Sequence, residues 1–172
     1  MDRREFVRNA AVGVAGLTIL PSGLLFAKNA DKVRLGYIGV GLRGRSHISE
    51  GLLRDDVEIV AICDIQESSL KYCRQQFVKA KKKLPTEYTG GLSAYKKLLE
   101  RKDLDAVVIA TPWEFHKEQS IDAMRAGKFV ACEVIAGITE KDHWDILKVY
   151  EETKVPYTTL ENVCYRRDVM AA

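Results

Sequence analysis

The chain has 172 residues, of which 47% are hydrophobic and 30% are charged. This length suffices for one domain with a substantial core, and the composition excludes wholesale disorder. Residues 1–30 carry four Lys or Arg and two acids, so the remaining residues, with 23 Lys or Arg and 22 acids, have a net charge of only +1. We expect no nucleic-acid partner, because nucleic-acid-binding domains present a strongly basic surface.

Residues 1–30 have the organisation of a signal peptide. A short basic start with Arg3 and Arg4 precedes the apolar stretch AAVGVAGLTIL, which ends at Pro21. That stretch is shorter than the roughly 20 apolar residues that cross a bilayer comfortably. The paired arginines followed by Phe6 resemble the twin-arginine export motif. The prediction is export by the twin-arginine machinery to the periplasm or the extracellular space, with an uncleaved anchor or another export route as the alternatives.

A glycine-rich turn follows the first apolar strand, in the sequence VRLGYIGVGLRGR. Gly39, Gly41 and Gly44 have the spacing G-x-G-x-x-G. In dinucleotide-binding folds the first glycine permits a tight turn, the second lets the backbone approach a pyrophosphate, and the third lets helix and strand pack closely. The helix that begins there directs unpaired N–H groups at the anion. The pattern therefore predicts a pyrophosphate site between strand and helix.

A second apolar run, residues 57–63, ends at Asp64, twenty residues after Gly44. A carboxylate at this position accepts hydrogen bonds from the adenosine ribose hydroxyls and repels a 2′-phosphate. NAD is therefore the predicted cofactor, in preference to NADP. The alternative is that Asp64 only caps the helix that follows it.

The rest of the chain alternates between helices and strands. The predicted helices are 67–82, 93–101, 114–126 and 139–153, and the predicted strands are 87–89, 104–111, 128–134 and 156–161. This alternation predicts an α/β fold, a doubly wound parallel-sheet Rossmann domain over residues 31–162. A new helix near Tyr165, cut off at Ala172, predicts that residues 163–172 begin a C-terminal α/β substrate domain that is missing from this chain.

Three segments follow the later strands, where ligands of an open parallel sheet bind. They are residues 111–116, 133–134 and 161–162. Trp113 and His116 are predicted to line the nicotinamide side, and Asn162 to bind its ribose or amide. The alternatives are core packing for Trp113, a helix first-turn acid for Glu114 and a solvated helix position for His116.

Two further histidines and the cysteines receive no functional role. His47 and His143 lie in predicted helices without convergent partners, so we interpret them as structural or exposed. The spacing of the cysteines fits neither a metal site nor a disulfide framework, and no metal is expected. We interpret all four as buried free thiols: Cys63, Cys73, Cys132 and Cys164.

The segments LGYIGVGLRGR, AICDI, VVIATPWEFH and ACEV resemble the Gfo/Idh/MocA oxidoreductase superfamily, over residues 32–172. That family commonly has a Glu-Lys-Pro motif whose lysine acts near the substrate, where this chain has Glu133, Val134 and Ile135. The missing lysine argues against an ordinary dehydrogenase. TPWE-x-H and ENVCY, at residues 161–165, resemble a narrower branch, glycoside hydrolase family 109, whose members are similar to α-N-acetylgalactosaminidases. That branch usually has proline in place of Ile135.

The resemblance to family 109 implies a redox-neutral hydrolysis. NAD⁺ takes a hydride from C3 of the sugar, and a base then removes the acidified C2 proton while the glycosidic bond breaks by elimination. Water adds to the product, and the hydride is returned to C3. Beside the glycines of the turn, the implied NAD contacts are Leu42, Arg43, Asp64, Trp113, Glu114, Phe115, His116, Glu133, Val134 and Asn162. His116 is the one candidate catalytic acid or base in this chain. The main catalytic and sugar-binding residues are expected beyond Ala172, in the missing domain, so we expect this chain alone to bind NAD without turnover.

Two other functions stay open at this point. One is an exported NAD-dependent sugar or polyol oxidoreductase of the same superfamily. The other is a non-catalytic nucleotide-binding module. The expected partners are a glycoside or sugar substrate and the export machinery, and a homo-oligomer is left open.

Overall fold

The computed structural model describes residues 32–171. The predicted signal peptide lies outside these residues, and so does Ala172, the last residue of the segment predicted to begin a C-terminal domain. Within them, six strands form one sheet: β1 (Val33–Ile38), β2 (Val57–Cys63), β3 (Thr86–Tyr88), β4 (Ala106–Ile109), β5 (Phe129–Cys132) and β6 (Tyr157–Thr159). The strand order is β3-β2-β1-β4-β5-β6, and every neighbouring pair is parallel. The predicted doubly wound Rossmann sheet is confirmed.

Helices connect the strands and cover both faces of the sheet. They are α1 (Leu42–Leu52), α2 (Glu67–Lys79), α3 (Ala94–Leu99), α4 (Trp113–Arg125) and α5 (Glu140–Thr153), followed by a 3₁₀ turn (Val163–Tyr165) and α6 (Arg167–Met170). Among residues 32–171, none of the helices combines the length and apolar character needed to cross a bilayer.

The core is divided into two layers by the sheet. On one face, α1 and α2 bury Ile48 and Phe77 against Tyr37 of β1. On the other face, α3 and α4 bury Leu98 and Met124 in the cluster that contains Ile38 and Val107. Neighbouring strand residues point to opposite faces, which is why consecutive apolar residues of β1 serve different layers. Each fully buried side chain of this size contributes about 1.5–3 kcal/mol.

The ends of the helices follow local sequence signals. Thr139 precedes α5 in a capping box: its hydroxyl accepts from Asp142 N at 3.2 Å, and the Asp142 carboxylate accepts from Thr139 N at 2.9 Å. Gly127 follows α4 with a φ of 71°, as predicted for a glycine at that position. Helix α2 ends at Lys79, earlier than predicted, because Lys81 adopts a left-handed φ of 54°.

One prediction about the cysteines is wrong. Cys63, Cys73 and Cys132 are buried free thiols as expected, but Cys164 is exposed. It lies in the 3₁₀ turn, and residues 162–171 are exposed throughout because little of the described fold covers them. The spacing of the cysteines in the sequence thus does not indicate which of the thiols are buried.

Candidate cofactor site

The three glycines of the turn meet different surroundings. Gly39 has a φ of 84°, and a Cβ on it would lie 2.7 Å from the carbonyl group of Ala110. A Cβ on Gly44 would lie 2.1 Å from the carbonyl oxygen of Gly39. A Cβ on Gly41 would meet nothing within 4 Å. Two of the glycines are therefore required by packing within the protein, whereas Gly41 faces open space.

That open space is part of a cleft at the carboxyl ends of β1, β2 and β4. Its volume is about 340 Å³, and its lining includes Gly41, Asp64, Tyr95 and Phe115. Helix α1 begins at this cleft: its N-cap is Gly41, and there is neither a side-chain cap nor an acid in its first turn. The first N–H groups of a helix lack partners within the helix, so here they are available to an anion.

The carboxylate of Asp64 accepts hydrogen bonds from the backbone of two separate segments. Its Oδ2 accepts from Val40 N at 2.9 Å and its Oδ1 from Gln66 N at 2.8 Å. Gln66 is the N-cap residue of α2, so Asp64 does support the start of that helix. Helix capping alone does not account for the bond to Val40, which ties the carboxylate to the glycine-rich turn. Each carboxylate oxygen has a second lone pair for a ribose hydroxyl.

Glu133, immediately after β5, joins that edge of the sheet to α1. Its Oε1 accepts from Arg43 Nε at 2.6 Å and contacts His47 Nε2 at 2.5 Å. The residue is only 6% exposed. Burial would raise the pKa of Glu133, but the hydrogen bonds with His47 and Arg43 outweigh burial and hold its pKa below the ordinary value. An ionised carboxylate only accepts hydrogen bonds, so Nε2 of His47 carries the proton of this contact.

The interpretation of His47 as a residue without convergent partners is therefore wrong. Glu133 lies 86 residues further along the chain. Because β1 pairs with β4 and β4 pairs with β5, Glu133 lies at the same edge of the sheet as the start of α1. No local sequence signal could have indicated this contact. His143, by contrast, is exposed on α5, as expected.

The predicted site residues in the first turn of α4 lie in different surroundings. Phe115 lines the cleft. Trp113 is 58% exposed, so the alternative that it packs in the core is wrong. Glu114 is an exposed acid in the first turn of α4, which agrees with the alternative interpretation of this residue.

His116 is fully buried, so the alternative of a solvated helix position is wrong. Its Nδ1 lies 2.7 Å from the carbonyl oxygen of Ile135 and its Nε2 lies 2.7 Å from that of Thr111. The ring thus connects the loop before α4 to the loop after β5. A catalytic role for His116 stays a prediction, and the described conformation does not favour it, because both ring nitrogens already face carbonyl oxygens. The location of the main catalytic residues beyond Ala172 also stays a prediction.

The remaining predicted contacts lie at the same edge but outside the lining of the cleft. Leu42 and Asn162 are exposed and Val134 is half-buried. Their contacts with NAD stay predictions. The lining residues that the motifs missed include Ser69, Tyr95 and Gln119. Tyr95 donates to Asp122 at 2.7 Å, and Gln119 accepts from Thr111 at 2.6 Å.

These residues fit a dinucleotide. Gly41 leaves room for a pyrophosphate at the start of α1, Asp64 offers a carboxylate to a ribose, and the cleft volume lies within the range of small-molecule sites, roughly 300–1,000 Å³. The comparison with known sequences decides the family. The profile described as "Oxidoreductase family, NAD-binding Rossmann fold" matches residues 33–159.

The chain belongs to the Gfo/Idh/MocA oxidoreductase family. The prediction of an NAD-binding Rossmann domain is confirmed by this membership. Among solved structures of this fold, the WlbA dehydrogenase from Bordetella pertussis in complex with NADH and UDP-GlcNAcA is 25% identical, with a TM-score of 0.67. The alignment covers 81% of this chain and 40% of that one.

Curated relatives confirm the resemblance to family 109. A "Glycosyl hydrolase family 109 protein" of Stenotrophomonas maltophilia (strain K279a) is 50% identical over the whole chain, which covers 38% of that relative. An "Alpha-N-acetylgalactosaminidase" of Tannerella forsythia is 37% identical over 99% of the chain, which covers 40% of that relative. The chain thus spans about two fifths of the length of these relatives.

Proposed function

We propose that this chain is the NAD-binding part of an exported NAD-dependent glycosidase that cleaves a glycoside such as an α-N-acetylgalactosaminide. The observation that carries the proposal is the residue after Glu133. In an ordinary dehydrogenase of the family we expect a lysine there, and this chain has Val134, which has no proton to exchange with a sugar hydroxyl. The names of the curated relatives support the same activity.

The residues of this chain bind and orient the cofactor in this proposal. The backbone at Gly41 and the start of α1 bind the pyrophosphate, and Asp64 binds the adenosine ribose. Trp113, which is exposed at the start of α4, would line the nicotinamide side, and Glu133 would contact the bound cofactor. When bound, NAD supplies a nicotinamide that accepts a hydride from the sugar and returns it within one cycle. Residues beyond this chain would bind the sugar and transfer its protons.

A redox-neutral cycle suits an exported enzyme, because the cofactor need not be replaced after each turnover. We include export by the twin-arginine machinery in the proposal on the basis of Arg3, Arg4 and the apolar stretch that follows. The double substitution Arg3→Lys and Arg4→Lys should retain the protein in the cytoplasm. Equal export of this variant and the parent protein would contradict the proposed route.

The decisive experiment uses the whole protein, purified without added cofactor. We would denature one portion and quantify the nucleotide that it releases. A second portion would receive 4-nitrophenyl α-N-acetylgalactosaminide while nitrophenol and NADH absorbance are recorded together. The expected result is bound NAD, release of nitrophenol and no lasting accumulation of NADH.

Two other results would overturn the proposal. Bound NAD without cleavage, but with lasting NADH from a free sugar, would identify an exported oxidoreductase. Bound NAD with neither reaction across a panel of glycosides would favour a nucleotide-binding module. The matched control is Gly41→Val, whose side chain enters the open space of the cleft and should remove nucleotide and activity together from a folded protein.

A further inference from the structure

The geometry around Glu133 points to His47 as a positioning residue of the cofactor site. We propose that the Nε2–H group of His47 holds Oε1 of Glu133, so that Oε2 stays available to a hydroxyl of the bound cofactor. This inference deepens the proposed function and rests on Glu133 as a contact of NAD. It assigns a role to His47, for which the sequence alone indicates none.

The first support is the sharing of one carboxylate oxygen. His47 Nε2 and Arg43 Nε both lie within 2.6 Å of Oε1. No described residue donates a hydrogen bond to Oε2 in residues 32–171, and Oε2 is not among the fully buried polar atoms that lack a partner. The carboxylate is therefore fixed at one oxygen and open at the other.

The second support is the position of both donors on α1. Arg43 and His47 are four residues apart, so they lie on the same face of the helix. The helix starts at Gly41, where the pyrophosphate is expected to bind. A donor on α1 thus couples the orientation of Glu133, at the end of β5, to the helix that receives the phosphate.

The third support is the difference in exposure between the two donors. The side chain of Arg43 is 48% exposed, whereas that of His47 is 26% exposed. Arg43 is itself an expected contact of NAD, and its half-exposed side chain has room to turn toward the cofactor. A carboxylate as buried as Glu133 is costly without a donor. When Arg43 turns toward the cofactor, His47 remains as the donor that keeps Glu133 ionised and oriented.

The test is NAD binding to nucleotide-free protein, measured by isothermal titration calorimetry on the full chain. His47→Leu should raise the Kd for NAD about tenfold, as expected for loss of one hydrogen bond to a charged group. His47→Gln should stay within about twofold of the parent, because the amide nitrogen of glutamine reaches nearly the same place as Nε2 and donates. His143→Leu, at an exposed position on α5, is the matched control and should leave the Kd unchanged.

A double-mutant cycle distinguishes positioning from a general structural role. In a Glu133→Gln background, His47→Leu should cause little additional loss of NAD affinity, because its partner oxygen is no longer a carboxylate. Urea unfolding without NAD reports the stability of every variant.

An unchanged Kd in His47→Leu would overturn the inference, as would equal losses in the Leu and Gln variants or additive losses in the cycle. No sugar takes part, so absence of glycosidase activity would leave this result unaffected.

Discussion

Alanine should have different effects at two glycines of the turn: at Gly44 it should destabilise the fold, and at Gly41 it should weaken NAD binding. In Gly44→Ala the new methyl group would lie 2.1 Å from the carbonyl oxygen of Gly39, where real contacts of this kind are not shorter than 3.0 Å. The start of α1 and the turn at Gly39 must therefore separate by 0.9 Å or more. The obstacle is backbone that no side-chain rotation can relieve, so we expect a loss of about 3 kcal/mol in the free energy of unfolding.

Gly41→Ala should leave the fold intact. This residue has an ordinary extended backbone, with φ of −67° and ψ of −153°, and its Cβ would meet nothing within 4 Å. The free energy of unfolding should change by less than about 1 kcal/mol, because alanine restricts the unfolded chain but is a poorer N-cap residue than glycine. The methyl group would, however, occupy the space where a pyrophosphate approaches the backbone. We expect the Kd for NAD to rise about tenfold or more.

The two quantities are measured separately on the same preparations. Urea unfolding of nucleotide-free protein, followed by circular dichroism, gives the free energy of unfolding. Calorimetric titration with NAD gives the Kd of every variant that folds. A Gly44→Ala protein as stable as the parent would refute the packing argument. A Gly41→Ala protein that binds NAD like the parent would refute the assignment of the open space to the pyrophosphate.

Three further predictions concern charge and thiol reactivity. Hydrogen bonds from Arg34 lower the pKa of Asp105. The ionised carboxylate therefore stabilises the folded protein fully above the ordinary carboxyl pKa, and this contribution is lost as the pH falls through the lowered pKa. Asp105→Asn should therefore reduce stability at neutral pH by about 1–3 kcal/mol in urea unfolding and weaken its decline in acid; an unchanged acid profile would contradict this. Asp64→Asn should lower the preference for NAD over NADP about tenfold in parallel titrations, because a neutral amide does not repel a 2′-phosphate; an unchanged ratio of the two Kd values would remove Asp64 from the ribose site. With a thiol reagent such as dithionitrobenzoate, Cys164 should react rapidly in the folded chain, because it is exposed. The other three thiols should react only in denaturant, because burial raises their pKa values to between about 11 and about 12. Rapid reaction of a second thiol would show that the core opens more readily than its packing indicates.

Much of the fold could be predicted from the sequence because its signals are local. The apolar runs before Gly39 and Asp64 indicate strands, and Thr139 marks the start of a helix within one turn of chain. The observed strand bounds differ from the predicted ones by a few residues. For example, β4 is predicted at 104–111 and observed at Ala106–Ile109. The glycine spacing and Asp64 also predicted the cleft, because a strand, a turn and a helix that follow one another directly determine its position.

Other features depend on residues that are far apart in the chain. The sequence could not place His47 beside Glu133, nor could it show that His116 is buried between two loops while Trp113 is exposed. These contacts depend on the register of β4 against β5, in which Ile109 pairs with Cys132 and its carbonyl accepts from Glu133 N at 2.9 Å. A local pattern specifies which residues form a strand and which of its faces is apolar. Only the assembled sheet decides which strand ends meet, because that choice depends on the packing of both layers at once.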